Sequence, residues 1–300
     1  MEKKILLVGI GAMGTSHLKS FNNKKKYKIY VYDKFLKKSH IKKKIKNLEL
    51  NINYKICENF PKKKIFFAAI FANHSIDRFK TVKSFIQHNK IRLLVLEKFV
   101  FLKKIQFDRI KKIFNIKNII VNTWGGIILK LTKLNFLKFN NFKIVVTVPE
   151  GALLTNLIHY YYFFSLLTKN KIEIQKNIYQ IIKSKRKNFH ELTGSIFLKS
   201  LNKSMQIKTS KNLKNIHKCK IYYRNKKITL SIGSKGIYKK SIRLSSFPTA
   251  SLITHKNILH YNNKNKNKIL LMPTLDKLID VSINILNQFS LINKKKILIN

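Results

Sequence analysis

Glycine is scarce in this chain, nine in 300 residues. Cysteine is scarcer, and Cys57 and Cys219 alone cannot build a disulfide framework, which points to a reducing, cytoplasmic setting. The first residues run straight into a strand-like apolar stretch, so no cleavable leader is expected. Long apolar runs are missing too. The longest, Leu153 to Leu167, is short for a bilayer and is broken by Asn156 and His159, which argues against a transmembrane helix and a membrane partner. The nine histidines show no H-x-x-x-H or cysteine-paired spacing and no Walker loop occurs, so neither a metal site nor a P-loop is expected.

Acidic side chains are a further shortage, 12 against 63 Lys and Arg, for a formal net charge of +51. A basic surface can gain affinity for nucleic acid by releasing counterions. The distribution argues for a plainer cause. Lysine falls in short runs at 24–26, 42–44 and 62–64 and throughout the remaining segments, without a single basic stripe. Asn and Ile are raised alongside it, as drift toward AT-rich codons would produce. No nucleic-acid partner is expected. Against this background a lysine carries little information, and each acid carries more.

Three of the few glycines fall in LLVGIGAMGTSHL, Leu6 to Leu18, at G-x-G-x-x-G spacing. Chance would produce that spacing in about 1% of chains this poor in glycine. KILLVGI before it reads as a strand buried on both faces, and SHLKSF after it as the start of a helix. In that setting Gly9 permits a tight turn, Gly11 lets a pyrophosphate approach the backbone, and Gly14 lets the helix pack close. With Ala12 and Met13 between them, these residues form a candidate dinucleotide cradle. A second strand, YKIYVYD, ends on Asp33, 22 residues after Gly11 and placed to accept hydrogen bonds from an adenosine ribose. A solvated strand end is the plainer reading of Asp33. Lys34 beside it could receive a 2′-phosphate, so the cofactor is NAD or NADP, with NAD only slightly favoured.

The alternation continues with the strand KIFFAAIFAN and a helix carrying Ile76, Phe79, Val82, Phe85 and Ile86 on one side. Next come the strand IRLLVLEKF, a helix near Ile105 to Phe114, and the strand NIIVNTW. Strands alternating with helices predict a parallel, doubly wound sheet, whose ligands bind beyond the carboxyl ends of the strands. Asp33, the triplet Ala72, Asn73 and His74, and the pair Glu97 and Lys98 are expected at those ends. A lysine there can hydrogen-bond a nicotinamide ribose or a substrate hydroxyl, and Glu97 can hold its ammonium. A surface ion pair is the plainer reading.

From Pro149 the pattern changes. GALLTNLIHYYYFFSLL reads as a helix with Asn156, His159 and Phe163 on one face. A core histidine is the plainer reading of His159, and Tyr160, Tyr161 and Tyr162 read as packing. IYQIIKS, GSIFLKS, SMQIKTS, CKIYYRN and KKITLSI then follow without helices between them, which predicts a mostly antiparallel sheet. NNKNKNK at 262–268 reads as a polar loop. Pro273 precedes a final helix over 274–290, with Leu275, Leu278, Ile279 and Val281 inward. The expected class is α/β, with an N-terminal Rossmann sheet over 1–122 and an α+β domain over 123–300 built on a mostly antiparallel, open-faced sheet.

Taken in order, these motifs resemble the glucose–fructose oxidoreductase/inositol dehydrogenase/MocA family over most of the chain. GIGAMGTSHL resembles its G-x-G-x-M-G-x-x-H opening, and FFAAIFANHSIDRF its strand ending in A-T-x-x-x-H, one residue short here. VLEKF resembles its E-K-P motif, and EGALLTNLIHYYYFF its G-G-x-L-L-D-x-x-H helix. SKRKNFHELTGSIFLKS and LMPTLDKLIDVSINIL resemble segments of members acting in sugar and acylated amino-sugar biosynthesis. The resemblance implies an NAD(P)-dependent oxidoreductase passing a hydride between nicotinamide and a hydroxyl or ketone carbon of a carbohydrate or amino sugar. It also implies a small-molecule carbohydrate substrate and a homodimer formed through the open sheet face. By the same resemblance Lys98 and His159 are catalytic, and Asn156 orients the substrate.

The chain also departs from the family pattern. Asn156 stands at the usual acid, and an amide can orient a hydroxyl but cannot serve as a carboxylate base. That leaves His159 or Lys98 to take the proton. Phe99 stands at the usual proline; a non-proline cis bond costs about 2.5–4 kcal/mol, so a trans bond is expected. VNTWGGI lacks the arginine common there, and the stretch to Val148 is short. An altered active site follows, with a catalytically drifted dinucleotide-binding protein of the same fold as the alternative.

Overall fold

The structure is a computed structural model that describes residues 2–132, 140–168, 170–175, 178–184, 189–214, 216–233, 236–239, 242–245, 250–262, 272–289 and 298–299. The chain divides into two compact units, Met1–Thr123 with Ala250–Ile279 and Trp124–Thr249 with Asp280–Asn300.

The first unit holds six strands: β1 (Lys3–Val8), β2 (Tyr27–Tyr32), β3 (Asn53–Ile56), β4 (Ile65–Phe71), β5 (Lys90–Glu97) and β6 (Ile119–Asn122). They pair in parallel in the order β3-β2-β1-β4-β5-β6. Ile5 to Val8, Ala68 to Phe71 and Leu93 to Leu96 are all buried, as continuous apolar runs covered on both faces require. Parallel pairing needs crossover connections. These are supplied by α1 (Ala12–Lys19), α2 (Lys38–Lys46), α3 (Ser75–His88) and α4 (Lys104–Ile113). On α3 the sequence pattern holds for Phe79, Val82 and Phe85, which are buried, but Ile76 is exposed. The strand order reverses between β1 and β4, and the carboxyl ends flanking that reversal carry the candidate residues.

A boundary at 122/123 leaves everything after it in the second domain, but residues 250–279 return to the first unit. Ser251 and Ser16 hydroxyls share a 2.6 Å hydrogen bond, Thr254 Oγ1 and His17 Nδ1 one of 2.7 Å, and Val121 N–H donates to Pro273 O. The first two contacts hold the returning chain on α1 and the third holds it on β6, so it completes the first core. The predicted helix 274–290 is also divided: a 3₁₀ turn spans Leu275–Lys277, and the α-helix runs Ile279–Gln288. Leu275, Leu278, Ile279 and Val281 are buried, so the apolar pattern was right and its continuity was not. The polar loop expected at 262–268 lies outside the described residues from 263 onward.

The second unit opens with α5 (Gly125–Thr132), β7 (Phe142–Pro149) and α6 (Leu153–Thr168). Its sheet adds β8 (Glu173–Ile174), β9 (Ile178–Lys183), β10 (Phe189–Ser200), β11 (Lys203–Ser210), β12 (Ile216–Tyr223), β13 (Lys226–Gly233), β14 (Gly236–Lys239), β15 (Ile242–Ser245) and β16 (Leu298–Ile299). The order is β15-β14-β13-β12-β7-β11-β10-β16, with β8 and β9 also on β10. Pairing is antiparallel except for β7 with β11 and β10 with β16. FKIVVTVP of β7 alternates, with Phe142, Ile144, Val146 and Val148 buried on one face. That is the signature of a half-covered sheet.

Candidate functional site

The glycine loop turns directly out of β1. Gly9 has φ +89°, a left-handed conformation, and a Cβ there would lie 2.8 Å from Asn73 N. A Cβ on Gly14 would lie 2.0 Å from Gly9 O, so helix and turn can touch only without a side chain. Gly11 differs: a Cβ there meets nothing within 4 Å. The open space therefore lies over Gly11, the N-cap of α1, where the first N–H groups of the helix lack intrahelical partners. Exposed Gly11 and Ala12 border it, and Met13 is half-buried. The helix dipole adds positive potential there, a setting suited to a pyrophosphate.

Asp33 follows β2 and reaches back to that loop. Its Oδ2 accepts from Ile10 N–H at 2.9 Å and its Oδ1 from Phe35 N–H at 2.9 Å. The carboxylate is thus fixed beside the turn while remaining half-exposed. Ala72 and Asn73 are half-buried beyond β4, with Ala72 N–H donating to Val8 O, and exposed His74 caps α3 without a side-chain capping bond.

Glu97 and Lys98 end β5. Lys98 is half-buried, and the Lys98–Phe99 bond is trans, since no described peptide bond is cis. The sequence reading put the Glu97 carboxylate on the Lys98 ammonium. Its Oε1 instead takes hydrogen bonds from His17 Nε2, at 2.7 Å, and from the Asn122 amide, inside the core. Burial pushes the Glu97 carboxyl up, but the His17 hydrogen bond and charge, the Asn122 amide and the Arg78 charge together hold it below its ordinary value. Glu97 is only 4% exposed, and its carboxylate ties the carboxyl end of β5 to α1 and β6.

Arg78, on α3, received no role from the sequence. Its buried guanidinium donates through Nη1 to Glu97 O at 2.7 Å and to Phe99 O, and through Nη2 to Asn73 O at 2.5 Å. It therefore holds the carbonyls on both sides of Lys98 and ties them to the β4 loop. Burial pushes its pKa down to about 10, partly offset by the Glu97 charge, and it stays protonated at neutral pH.

In the second unit His159 is buried on α6. The Trp124 ring stacks on it with centroids 4.4 Å apart and planes at 28°, and Trp124 N–H donates to Nδ1 over a long 3.4 Å. A donor at Nδ1 puts the proton of the neutral ring on Nε2. Gly125 permits this approach, because a Cβ there would lie 2.5 Å from His159 O. Asn156 is half-buried, and its amide donates to Ala152 O at 2.8 Å, back along its own helix. Tyr160, Tyr161 and Tyr162 are buried, in keeping with packing, and Tyr160 also shares a 2.6 Å hydrogen bond with His217 Nδ1.

Glu191 sets the start of α6 from β10. Oε1 accepts from Leu154 N–H at 2.6 Å, and Oε2 from Thr155 N–H at 3.1 Å and from the Thr155 hydroxyl. Among the described residues no cluster of three or more His, Cys, Asp or Glu could hold a metal, and no helix is long and apolar enough to cross a membrane.

The fold and the loop together define a class: a doubly wound nucleotide-type sheet joined to an open mixed sheet. No family model and no curated protein matches the sequence. Solved structures do match it in fold. A dehydrogenase (MviM) from Clostridium difficile superposes with a TM-score of 0.68 at 10% identity, covering 97% of this chain and 99% of that one. A super-repressor mutant of Gal80p from Saccharomyces cerevisiae gives 0.67 at 13%, covering 97% and 96%. The myo-inositol dehydrogenase of Lactobacillus casei, in complex with NAD(H) and myo-inositol, gives 0.64 at 14%, covering 95% and 93%. The chain has the two-unit fold of the glucose–fructose oxidoreductase/inositol dehydrogenase/MocA oxidoreductases, the family its motifs resemble.

Proposed function

We propose that the chain is an NAD(P)-dependent oxidoreductase acting on a hydroxyl or ketone carbon of a small carbohydrate or amino sugar. The observation that carries this reading is the open space over Gly11, bordered by a helix N-terminus and by an Asp33 carboxylate tied to the same loop. Gly9, Gly11, Ala12, Met13 and Gly14 would hold the pyrophosphate, and Asp33 the adenosine ribose, with NAD slightly favoured over NADP. Nicotinamide, when bound, supplies or accepts the hydride. Lys98 is assigned to the nicotinamide ribose and the reacting hydroxyl, on a backbone held by Arg78. His159 is assigned to hydrogen-bonding a substrate oxygen, and His159 or Lys98 to taking the hydroxyl proton. Asn156 is assigned to orienting the substrate. A cytoplasmic setting, a homodimer and the absence of nucleic-acid and membrane partners belong to the same proposal.

Calorimetric titration with NADH and NADPH tests the cradle. Saturable binding that is lost in Gly11→Val, with the melting temperature kept, is expected; a folded wild-type protein binding neither nucleotide overturns the proposal. With binding in hand, a sugar and amino-sugar panel followed by nicotinamide absorbance should find turnover that falls strongly in Lys98→Ala.

A second reading, a non-enzymatic dinucleotide-binding protein, is favoured by Asn156 bonding back to its own helix and by Phe99 in place of proline. One of the similar folds is that of a protein described as a repressor. Tight NADH binding without turnover on any panel member would select this reading.

A further inference from the structure

β9 lies along one side of β10 and pairs with no other described strand. Its outer edge therefore presents a row of N–H and C=O groups that a further strand can bond. Edges of this kind are usually blunted by charge or proline, yet Ile178 to Ile182 carries neither, in a chain with 63 Lys and Arg. Ile178 is 64% exposed and Ile181 41%. The stretch is also apolar symmetrically about Gln180, with Tyr179 and Ile181 next to it and Ile178 and Ile182 beyond them.

The open face of the same sheet has the opposite character. Ile144, Val146, Met205, Ile207, Cys219 and Ile221 are buried on the covered side. Strand alternation then puts Lys143, Lys208, Lys218, Lys220 and Lys227 on the open side. The four strands that carry them, β7, β11, β12 and β13, hold no Asp or Glu. A second copy laid on this face sets ammonium groups against ammonium groups, whereas interface cores are depleted in lysine.

We infer that a second copy of the chain docks edge to edge on β9, antiparallel about a two-fold axis at Gln180, so that the two sheets run on into one. This pairing places Ile178 opposite the partner's Ile182 and Tyr179 opposite the partner's Ile181, each contact made twice by symmetry. Lys183 falls beyond the paired stretch. The inference rests on the homodimer of the reading above and goes further, naming its interface as the β9 edge in place of the open face that the resemblance implies.

The test follows the full chain by sedimentation velocity over micromolar concentrations, where wild type should run as a dimer. Because Ile178 is exposed, Ile178→Lys should melt within about a degree of wild type. It should raise the dimer dissociation constant about tenfold, since both copies lose the pair. Lys220→Glu, on the open face, should leave that constant within about twofold. Residues directly opposite on antiparallel strands have Cα atoms about 4.5–5.5 Å apart, within reach of a disulfide. Gln180→Cys, combined with Cys57→Ser to remove the half-buried native thiol, should therefore oxidise to a covalent dimer on a non-reducing gel. A monomeric wild type overturns the inference, as does a dimer that Ile178→Lys leaves intact or that Gln180→Cys fails to cross-link. Wild type that binds neither NADH nor NADPH overturns the cofactor reading instead, whatever its oligomeric state, so the two failures are distinct.

Discussion

Arg78 is one basic residue among 63 Lys and Arg, and nothing in its spacing distinguishes it. Its importance comes from three carbonyl oxygens, those of Asn73, Glu97 and Phe99, which converge on one buried guanidinium. Where the resembled pattern has a proline to shape the chain after the lysine, this chain has Phe99 on a trans bond and an arginine gripping the backbone around it. Arg78→Met keeps the volume and removes the donors, leaving those carbonyls without the partner that satisfies them. Stability should fall by about 3 kcal/mol, read as a lower urea midpoint, with part of the loss recovered in Arg78→Lys. An unchanged midpoint in Arg78→Met would mean that the clamp is not energetically significant.

Among the elements, α6 shows how a helix can be started from another part of the chain. Ala152 just before it offers no capping side chain, and Glu191 on β10 takes the free N–H groups of Leu154 and Thr155 instead. Burial raises the Glu191 carboxyl above its ordinary value, against the downward pull of its hydrogen bonds. Its folded state therefore binds the proton more tightly than the unfolded chain does. That contribution to stability is present below the unfolded value of about 4.3 and is lost as the pH rises through the raised folded value. Glu97, held below its ordinary value, acts in the opposite sense: its contribution is present above about 4.3 and is lost as the pH falls through the lowered folded value. Urea midpoints across pH 2 to 8 should show Glu191→Gln with a smaller loss toward high pH than wild type, and Glu97→Gln with a smaller loss toward low pH. Parallel curves for all three proteins would contradict this assignment.

The same element explains what could be read in advance. The strands of the first unit and the glycine turn were legible because their signals are local: unbroken apolar runs, a rare glycine spacing, an acid at a strand tip. α6 was legible as a helix for the same reason. Its cap was not, because Glu191 and Leu154 are 37 residues apart. Nor were α5 and β7 picked out, lying in a stretch the resemblance marked only as short. The place of Glu97 was missed because its partners, His17 and Asn122, come from two other elements.

At the scale of the whole molecule, the chain leaves its first unit at Thr123 and comes back at Ala250. Ser251 and Thr254 then bond Ser16 and His17 on α1, more than 230 residues earlier in the sequence. A fragment ending at residue 123 lacks this cover and should unfold without a cooperative thermal transition. The same fragment joined by a short linker to residues 250–279 should regain one. Equal cooperativity in both fragments would show that the returning segment is dispensable. In the second unit, the chain's single tryptophan is the residue stacked on His159. Indole emission excited at the red edge of its band comes from that one residue, and an imidazole in van der Waals contact quenches it. The protein thus carries its own optical reporter at the candidate catalytic histidine: a ligand that parts the two rings brightens the emission without any attached dye.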